Sequence, residues 1–498
     1  MSVSQQLTYI APFPGDEERQ AFYRAGKLFD DGEFAEAARL WNDMRLLYPF
    51  EPMLHFVLGR SKHMLRSLNE AKAFYKTAME LNPEFWQAYF YTGAILVEQA
   101  QYRPAIDILY FLLQHQPKDG KTWALLGGAL SKIGEQDEAV ECCRQALTLN
   151  ADDAAAMHNL AFAYAAKNDI GQALTWIDTA LRLQPDVPAF HMHRASLLLR
   201  EGRYDEGWSE WDWRLQKEEF RTVNVRSAAP RLWHGESLEG KTLLVWCEQG
   251  FGDTIQFVRY LRVVKDLGAR VLFECQKELQ PIVEGAAGAD VIFDRFMECP
   301  EPFEYHVPIA SLPRWCGTTP QTIPYSGGYI CPDAVKRFAD RLSLTHDGQR
   351  IGLAWEGSRL NPANHFRSCT PQAYAPLFDV PQCTWYGLQH DVVNALPGEI
   401  IHLGVRSMAE LAGAIASLDM IITIDTSVAH LAGAMGKEVW LLLSALPDWR
   451  WELDRETSPW YASMRLFRQK KLGEWESVVR DAADRLRSMT IMTQPTQS

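Results

Sequence analysis

Residues 421–440 read I-I-T-I-D-T-S-V-A-H-L-A-G-A-M-G-K-E-V-W. Ile421 to Ile424 form an apolar, β-branched run that suits a buried strand, and Asp425 closes it. Asp425, Thr426 and Ser427 are helix-starting residue types, and Leu431, Ala434 and Met435 continue at helical spacing to a terminating Gly436. A second apolar strand, 439–443, follows at once. Strand, tight polar turn, helix, strand is the unit that points free backbone N–H groups and a positive dipole end at an anion. Read locally, Asp425 is either a plain helix cap or a ligand-binding carboxylate, and His430 either a core histidine or a contact.

The same period runs outward from this stretch. Strand-like segments at 241–246, 269–274, 290–293 and 305–309, then at 350–355, 384–388, 399–403, 420–425 and 439–443, alternate with helical ones. That alternation predicts two consecutive α/β blocks with parallel sheets and a cleft between them. Pro324 to Gly328 (P-Y-S-G-G) reads as a hinge, and a last amphipathic helix over 474–489 as one that packs back on the lobes.

Ligands of such sheets sit beyond the strands' carboxyl ends. Three loops there carry chemistry. Glu248 to Thr254 (E-Q-G-F-G-D-T) begins like a dinucleotide fingerprint but has Ile255 where a third glycine belongs, and it lacks a P-loop lysine. Its glycines, Gly252 included, allow close backbone approach, and Asp253 is either an N-cap or a working carboxylate. Trp355 to Ser368 brings Arg359, His365 and Arg367 into an otherwise acidic protein. The third loop is Asp425-Thr426-Ser427, with His430 one turn on.

Ahead of Gly240 the pattern is different. Ala37, Ala71, Ala105, Ala139, Ala173 and Gly207 fall at a strict 34-residue period, the spacing of tetratricopeptide repeats. Small residues recur at Ala25, Gly59, Gly93, Gly127, Ala161 and Ala195, and bulky ones at Trp41, Tyr75, Leu109, Cys143, Ile177 and Trp211. Gly32, Gly134, Asn168 and Gly202 mark turns. Six units are expected over 19–216, an α-solenoid whose concave face binds partners. Phe22, Phe56 and Phe90 share one position of the repeat, which reads either as an apolar peptide groove or as packing. Trp208, Trp211 and Trp213 make the last unit a cap suited to docking.

Composition bounds the rest. A chain of 498 residues with a formal net charge of −13 disfavours nucleic-acid partners. Nine scattered cysteines, with no C-x-x-C, suit a reducing compartment. The N-terminus has no basic segment followed by an apolar core, and no apolar run is long enough to span a bilayer, so a cytoplasmic location without membrane insertion is expected.

The second half also resembles a known group. The segments L-W-H-G-E-S-L-E-G-K-T-L-L-V-W-C-E-Q-G-F-G-D-T-I-Q-F-V-R-Y and D-T-S-V-A-H-L-A-G-A-M-G, then P-D-W-R-W and S-P-W-Y-A-S-M-R-L-F-R-Q, look like bacterial tetratricopeptide-repeat glycosyltransferases. These are related to the heptosyltransferase family (glycosyltransferase family nine), of GT-B fold. The layout is also similar to that of flagellin glycosyltransferases and O-linked N-acetylglucosamine transferases. The resemblance implies a repeat solenoid followed by two Rossmann-type lobes. The expected segments are an N-terminal extension at 1–18, repeats at 19–216, a connector at 217–239, an acceptor-side lobe at 240–328, a nucleotide-sugar lobe at 329–472 and a C-terminal helix and tail at 473–498.

It further implies transfer of a sugar from a nucleotide-sugar co-substrate; inversion without a metal is expected, with a protein acceptor in the groove read at Phe22, Phe56 and Phe90. The Gly252-Asp253 pair matches the family's G-D motif, whose aspartate is the catalytic base. Asp425, Thr426 and His430 match its D-T-x-x-x-H-L motif at the donor, with Ser427 beside them. Arg367 stands where the family offers a lysine to phosphate, next to Ser368, and Gln389 is expected near the base and ribose. An epimerase or hydrolase on the same fold, or a repeat scaffold that senses a nucleotide, are the competing readings.

Overall fold

A computed structural model describes residues 13, 15–216, 231–248, 250–284, 286, 288–331, 335–339, 342, 344, 348–358, 364–390 and 397–492. Arg359 lies outside them. Contacts divide the chain into two units, Met1–Pro185 and Asp186–Ser498.

The first unit is a tetratricopeptide solenoid of helical pairs: α1 (Asp16–Asp30) with α2 (Phe34–Leu47), α3 (Pro52–Met64) with α4 (Leu68–Leu81), α5 (Trp86–Glu98) with α6 (Tyr102–His115), α7 (Gly120–Ile133) with α8 (Gln136–Leu149), and α9 (Ala154–Ala166) with α10 (Ile170–Leu183). The recurring small and bulky positions are two sides of one contact. A Cβ on Gly59 would lie 2.5 Å from the Tyr75 ring, on Gly93 2.9 Å from Leu109, and on Gly127 2.5 Å from the Cys143 sulfur. Each turn between the helices of a pair takes a left-handed residue at the same 34-residue step: Gly32, Arg66, Ala100, Gly134 and Asn168 all have positive φ.

Two of the three phenylalanines, Phe22 and Phe56, do not line a peptide groove. Phe22 is fully buried, packed among Phe13, Tyr23 and Trp41, and Phe56 is 7% exposed among Tyr75, Phe85 and Tyr91. Phe90 is half-buried, edge-on to Tyr91. Aromatic area of this size contributes most when removed from water, so Phe22 and Phe56 serve the solenoid's own core.

The second unit opens with the sixth pair, α11 (Pro188–Arg200) and α12 (Tyr204–Trp211), where Gly202 repeats the left-handed turn. This pair groups with the α/β residues, not with the helices before it, because its aromatic face is spent there. Trp208 donates from its indole N–H to the Thr318 carbonyl at 3.0 Å and meets Trp449 and Trp460 edge-on.

Two all-parallel sheets follow. The first runs β1 (Arg231–Leu232), β5 (Tyr305–Pro308), β2 (Thr242–Trp246), β3 (Arg270–Cys275), β4 (Val291–Asp294). The second runs β11 (Met464–Arg468), β10 (Glu438–Leu443), β9 (Met420–Ile424), β6 (Gln349–Ala354), β7 (Cys383–Gly387), β8 (Ile400–His402). Numbered within its own sheet this is 6-5-4-1-2-3, the doubly wound order. Burial on both faces explains the unbroken apolar runs. Val439, Leu441 and Leu443 enter one core, while Trp440 and Leu442 enter the other with Val478, Val479, Ala482, Ala483 and Leu486 of the final helix. That helix therefore covers the outer face of the second sheet.

The segment read as a hinge is pinned. Tyr329 and Ile330 donate backbone N–H groups to the Ala434 carbonyl, Ala462 N–H donates to Ser326, and a Cβ on Gly328 would stand 3.2 Å from the Gly436 nitrogen. Two strands escaped sequence reading. β1 is two residues long at a sheet edge, inside what reads as connector, and Arg465 and Arg468 interrupt the apolar pattern of β11.

Candidate functional site

In a doubly wound sheet the crevice opens where neighbouring strands send their connections to opposite sides. In the second sheet that point lies between β6 and β9, whose carboxyl ends release the Trp355 loop and Asp425. In the first it lies between β2 and β5, and the residues after β2 lead into α13 (Phe251–Phe257), which carries Asp253. The two ends meet. α13 packs on the helix 427–434 that follows Asp425, and a Cβ on Gly252 would stand 3.0 Å from His430 Cδ2.

Neither aspartate is a helix cap. Gly250 occupies the N-cap of α13, with Asp253 inside the first turn. Thr426 caps the helix after β9, its hydroxyl accepting from the Val428 N–H at 3.3 Å, with Ser427 half-buried as the first helical residue. Asp425 is thereby left to the cleft side chains. Its carboxylate is buried, and burial with the nearby Asp448 charge pushes its pKa up to about 6, against the pull of Arg367, the Trp451 indole N–H and Arg450. His430 is buried 4.0 Å from it, hydrogen-bonded through Nδ1 to the Tyr461 hydroxyl at 2.9 Å. Burial and the charges of Arg450, Arg259 and Arg367 hold the imidazole well below its ordinary pKa, so it is neutral at neutral pH.

Asp253 receives Arg450 Nη2 at 2.6 Å, and 42% of its side chain remains open to solvent. Desolvation raises its pKa first, Arg450 opposes this, and Glu248 and Asp448 add to the rise. Arg450 also donates to Asp448 Oδ1 at 2.8 Å and, through Nε, to the buried Gln256. Glu248 is held in turn by a two-pronged pair with Arg214 at 2.8 and 2.6 Å.

The remaining expected residues divide. Arg367 is half-buried, its Nε without a protein partner among the described residues, and its charge reaches both Asp425 and His430. Ser368 instead shapes the loop: its hydroxyl donates to Asn364 at 2.8 Å and accepts from the Gly357 N–H at 3.1 Å. Gln389 is oriented by the Glu356 backbone, accepting from its N–H at 3.2 Å and donating one amide hydrogen to its carbonyl at 3.0 Å, with a second N–H on the same amide. The segments that hold Asp448, Arg450, Trp451 and Tyr461 are among those that carry the family resemblance, but sequence reading gave none of the four a role. Besides that resemblance, the signal was an arginine between tryptophans in W-R-W, an unusual setting for a cation. No group of three or more metal-ligating side chains occurs among the described residues.

Comparison with known proteins bears mainly on the repeats. The chain matches the tetratricopeptide-repeat family over residues 54–85 and 134–197. It is 26% identical over 497 residues to protein FlbA of Caulobacter vibrioides, covering 92% of this chain and 82% of that one. That span takes in repeats and sheets together. It is 27% identical over 148 residues to the protein O-mannosyl-transferase Tmtc3 of Drosophila melanogaster, 30% of this chain but only 16% of the transferase. Among solved structures, MamA from Desulfovibrio magneticus covers 34% of this chain and 97% of its own, at 20% identity and a TM-score of 0.31. No helix among the described residues is long and apolar enough to cross a membrane. Sequence and structure together thus assign the N-terminal region to the tetratricopeptide repeats.

Proposed function

We propose that this protein is a glycosyltransferase that moves a sugar from a nucleotide-sugar donor to a protein acceptor recruited by its repeats. On this reading the two sheets are a GT-B-type pair of lobes akin to the heptosyltransferases. The observation that carries it is the meeting of Gly252-Asp253 with Asp425 and His430, two motifs about 180 residues apart, where the carboxyl ends of two parallel sheets converge. The name of the partial relative Tmtc3, a protein O-mannosyl-transferase, agrees with repeats serving sugar transfer to protein.

In the reaction, Asp253 takes the proton of the acceptor hydroxyl as its oxygen bonds the sugar's anomeric carbon. The bond from that carbon to the donor phosphate breaks on the opposite face, and a nucleoside diphosphate leaves. Arg367 and the amide end of the helix after Thr426 receive the departing charge, as arginines can in place of a metal. A helix end contributes about 0.3–1 kcal/mol, up to ~2 when partly buried, and a hydrogen bond to charge roughly 1.5–3. Micromolar affinity needs about 8 kcal/mol, so contacts to base and ribose must add the remainder. Gln389, whose amide Glu356 orients, and the backbone at the ends of β6 and β7 are placed to supply those contacts.

The test is a mass-spectrometric search for sugar added to proteins captured by the full chain, repeated with Asp253→Asn and Asp425→Ala. Asp253→Asn is expected to slow transfer about 10²–10⁴-fold while still binding the donor, the loss typical of a missing proton acceptor. Full rate in both variants would sink the assignment.

A further inference from the structure

Arg450 reaches Asp253 from the opposite sheet, 197 residues along the chain, and its seat is rigid. Its guanidinium lies 4.4 Å from the Trp449 ring centroid and 5.7 Å from that of Phe257. Gln256 takes its Nε and Asp448 its Nη1, which aims Nη2 at Asp253 Oδ1. Asp253 Oδ2 is left without a hydrogen-bond partner among the described residues, on a side chain that solvent reaches.

We propose that Arg450 is the positioning residue for Asp253: it clamps one carboxylate oxygen, turns the other towards the cleft, and sets the pH at which that carboxylate takes a proton. The inference rests on the glycosyltransferase reading only where it calls that proton the acceptor's. The clamp itself rests on geometry. A fork fixed at three points orients a carboxylate better than a flexible ammonium does, so Lys is not an equivalent. The other charges facing Asp253 are Glu248 and Asp448, which disfavour its ionised form, and Arg214, which favours it. Glu248 and Arg214 are paired with each other, which leaves Arg450 as the cation bonded to the carboxylate.

The experiment titrates full-length protein carrying ¹³C at the aspartate carboxyl carbons, with Asp253→Asn identifying the Asp253 resonance. In Arg450→Gln the midpoint of that resonance is expected to rise by about 1–3 pH units, the span an adjacent arginine commands. Arg450→Lys is expected to raise it by a smaller amount. A midpoint unchanged in Arg450→Gln overturns the proposal. If that variant does not fold, Arg450→Lys decides: a raised midpoint supports the clamp and an unchanged one overturns it. A moved midpoint in a protein that transfers no sugar would leave the clamp standing and remove the glycosyltransferase reading, so the two fail separately.

Discussion

Gly252 faces the His430 imidazole so closely that a Cβ there would stand 3.0 Å from Cδ2 and 3.5 Å from Nε2. The glycine is needed for space, not for backbone freedom, since its φ is not among the positive ones. Gly252→Ala must therefore push the imidazole away from Asp425 or shift α13. The expected cost is about 1–2 kcal/mol of stability, as for a modest overpacking, with a larger loss of nucleotide affinity. Urea unfolding and nucleotide titration of the same preparation check both.

Asp425 gives a stability signature with a definite sign. Its folded pKa, near 6, lies above the ordinary carboxylate value, so the folded chain binds the extra proton between about pH 4 and 6. Stability from this group is present at low pH and is lost as pH rises through that window. Asp425→Asn is expected to be more stable than the parent at pH 7, by at most about 3 kcal/mol, and no more stable near pH 4. Urea midpoints at the two pH values read this directly, and a gap that stays constant with pH would refute it.

Ala100 holds a left-handed backbone, φ +55°, at the repeat step where Gly32 and Gly134 stand. An L-residue there costs roughly 1–2 kcal/mol, part of which glycine returns as chain entropy. Ala100→Gly is expected to stabilise the repeat unit by about 0.5–1 kcal/mol, measured on the Met1–Pro185 unit within the full chain by hydrogen exchange.

Phe56 separates a groove from a core. Buried among Tyr75, Phe85 and Tyr91, it should lose about 3–5 kcal/mol of stability on Phe56→Ala. Any loss of partner binding should then track unfolding and vanish for Phe56→Leu under conditions where both chains are folded. A binding defect in folded Phe56→Leu would restore the groove.

What could be read in advance depended on the range of the interaction. The repeat register, the doubly wound alternation and the pairing of small with bulky positions are local or periodic, and Gly59 with Tyr75 or Val439 to Leu443 carry that pattern in the letters themselves. Whether an aspartate caps a helix is decided within three residues, yet Thr426 competes with Asp425 for the role and geometry alone chose. The orientation of Gln389 had no signal in advance because its partner is the backbone of Glu356, which has no sequence signature. Arg450 bonds Asp253 across 197 residues, and nothing periodic links them. The phenylalanines read as groove or packing because a tetratricopeptide position can face either partner or neighbour, and burial decides it for Phe22 and Phe56.

The sixth helical pair has a practical meaning. Arg214, just beyond α12, is buried against Glu248, Asp212 and Ser311, and Trp208 is buried against Thr318, Trp449 and Trp460. A fragment begun at the first strand, Arg231, would leave Glu248 as a buried anion stripped of its cation and open a tryptophan-lined face to water. It should precipitate, whereas one begun at Asp186 should stay in solution and titrate like the whole chain. The last pair has ceased to be an interchangeable module and travels with the chemistry.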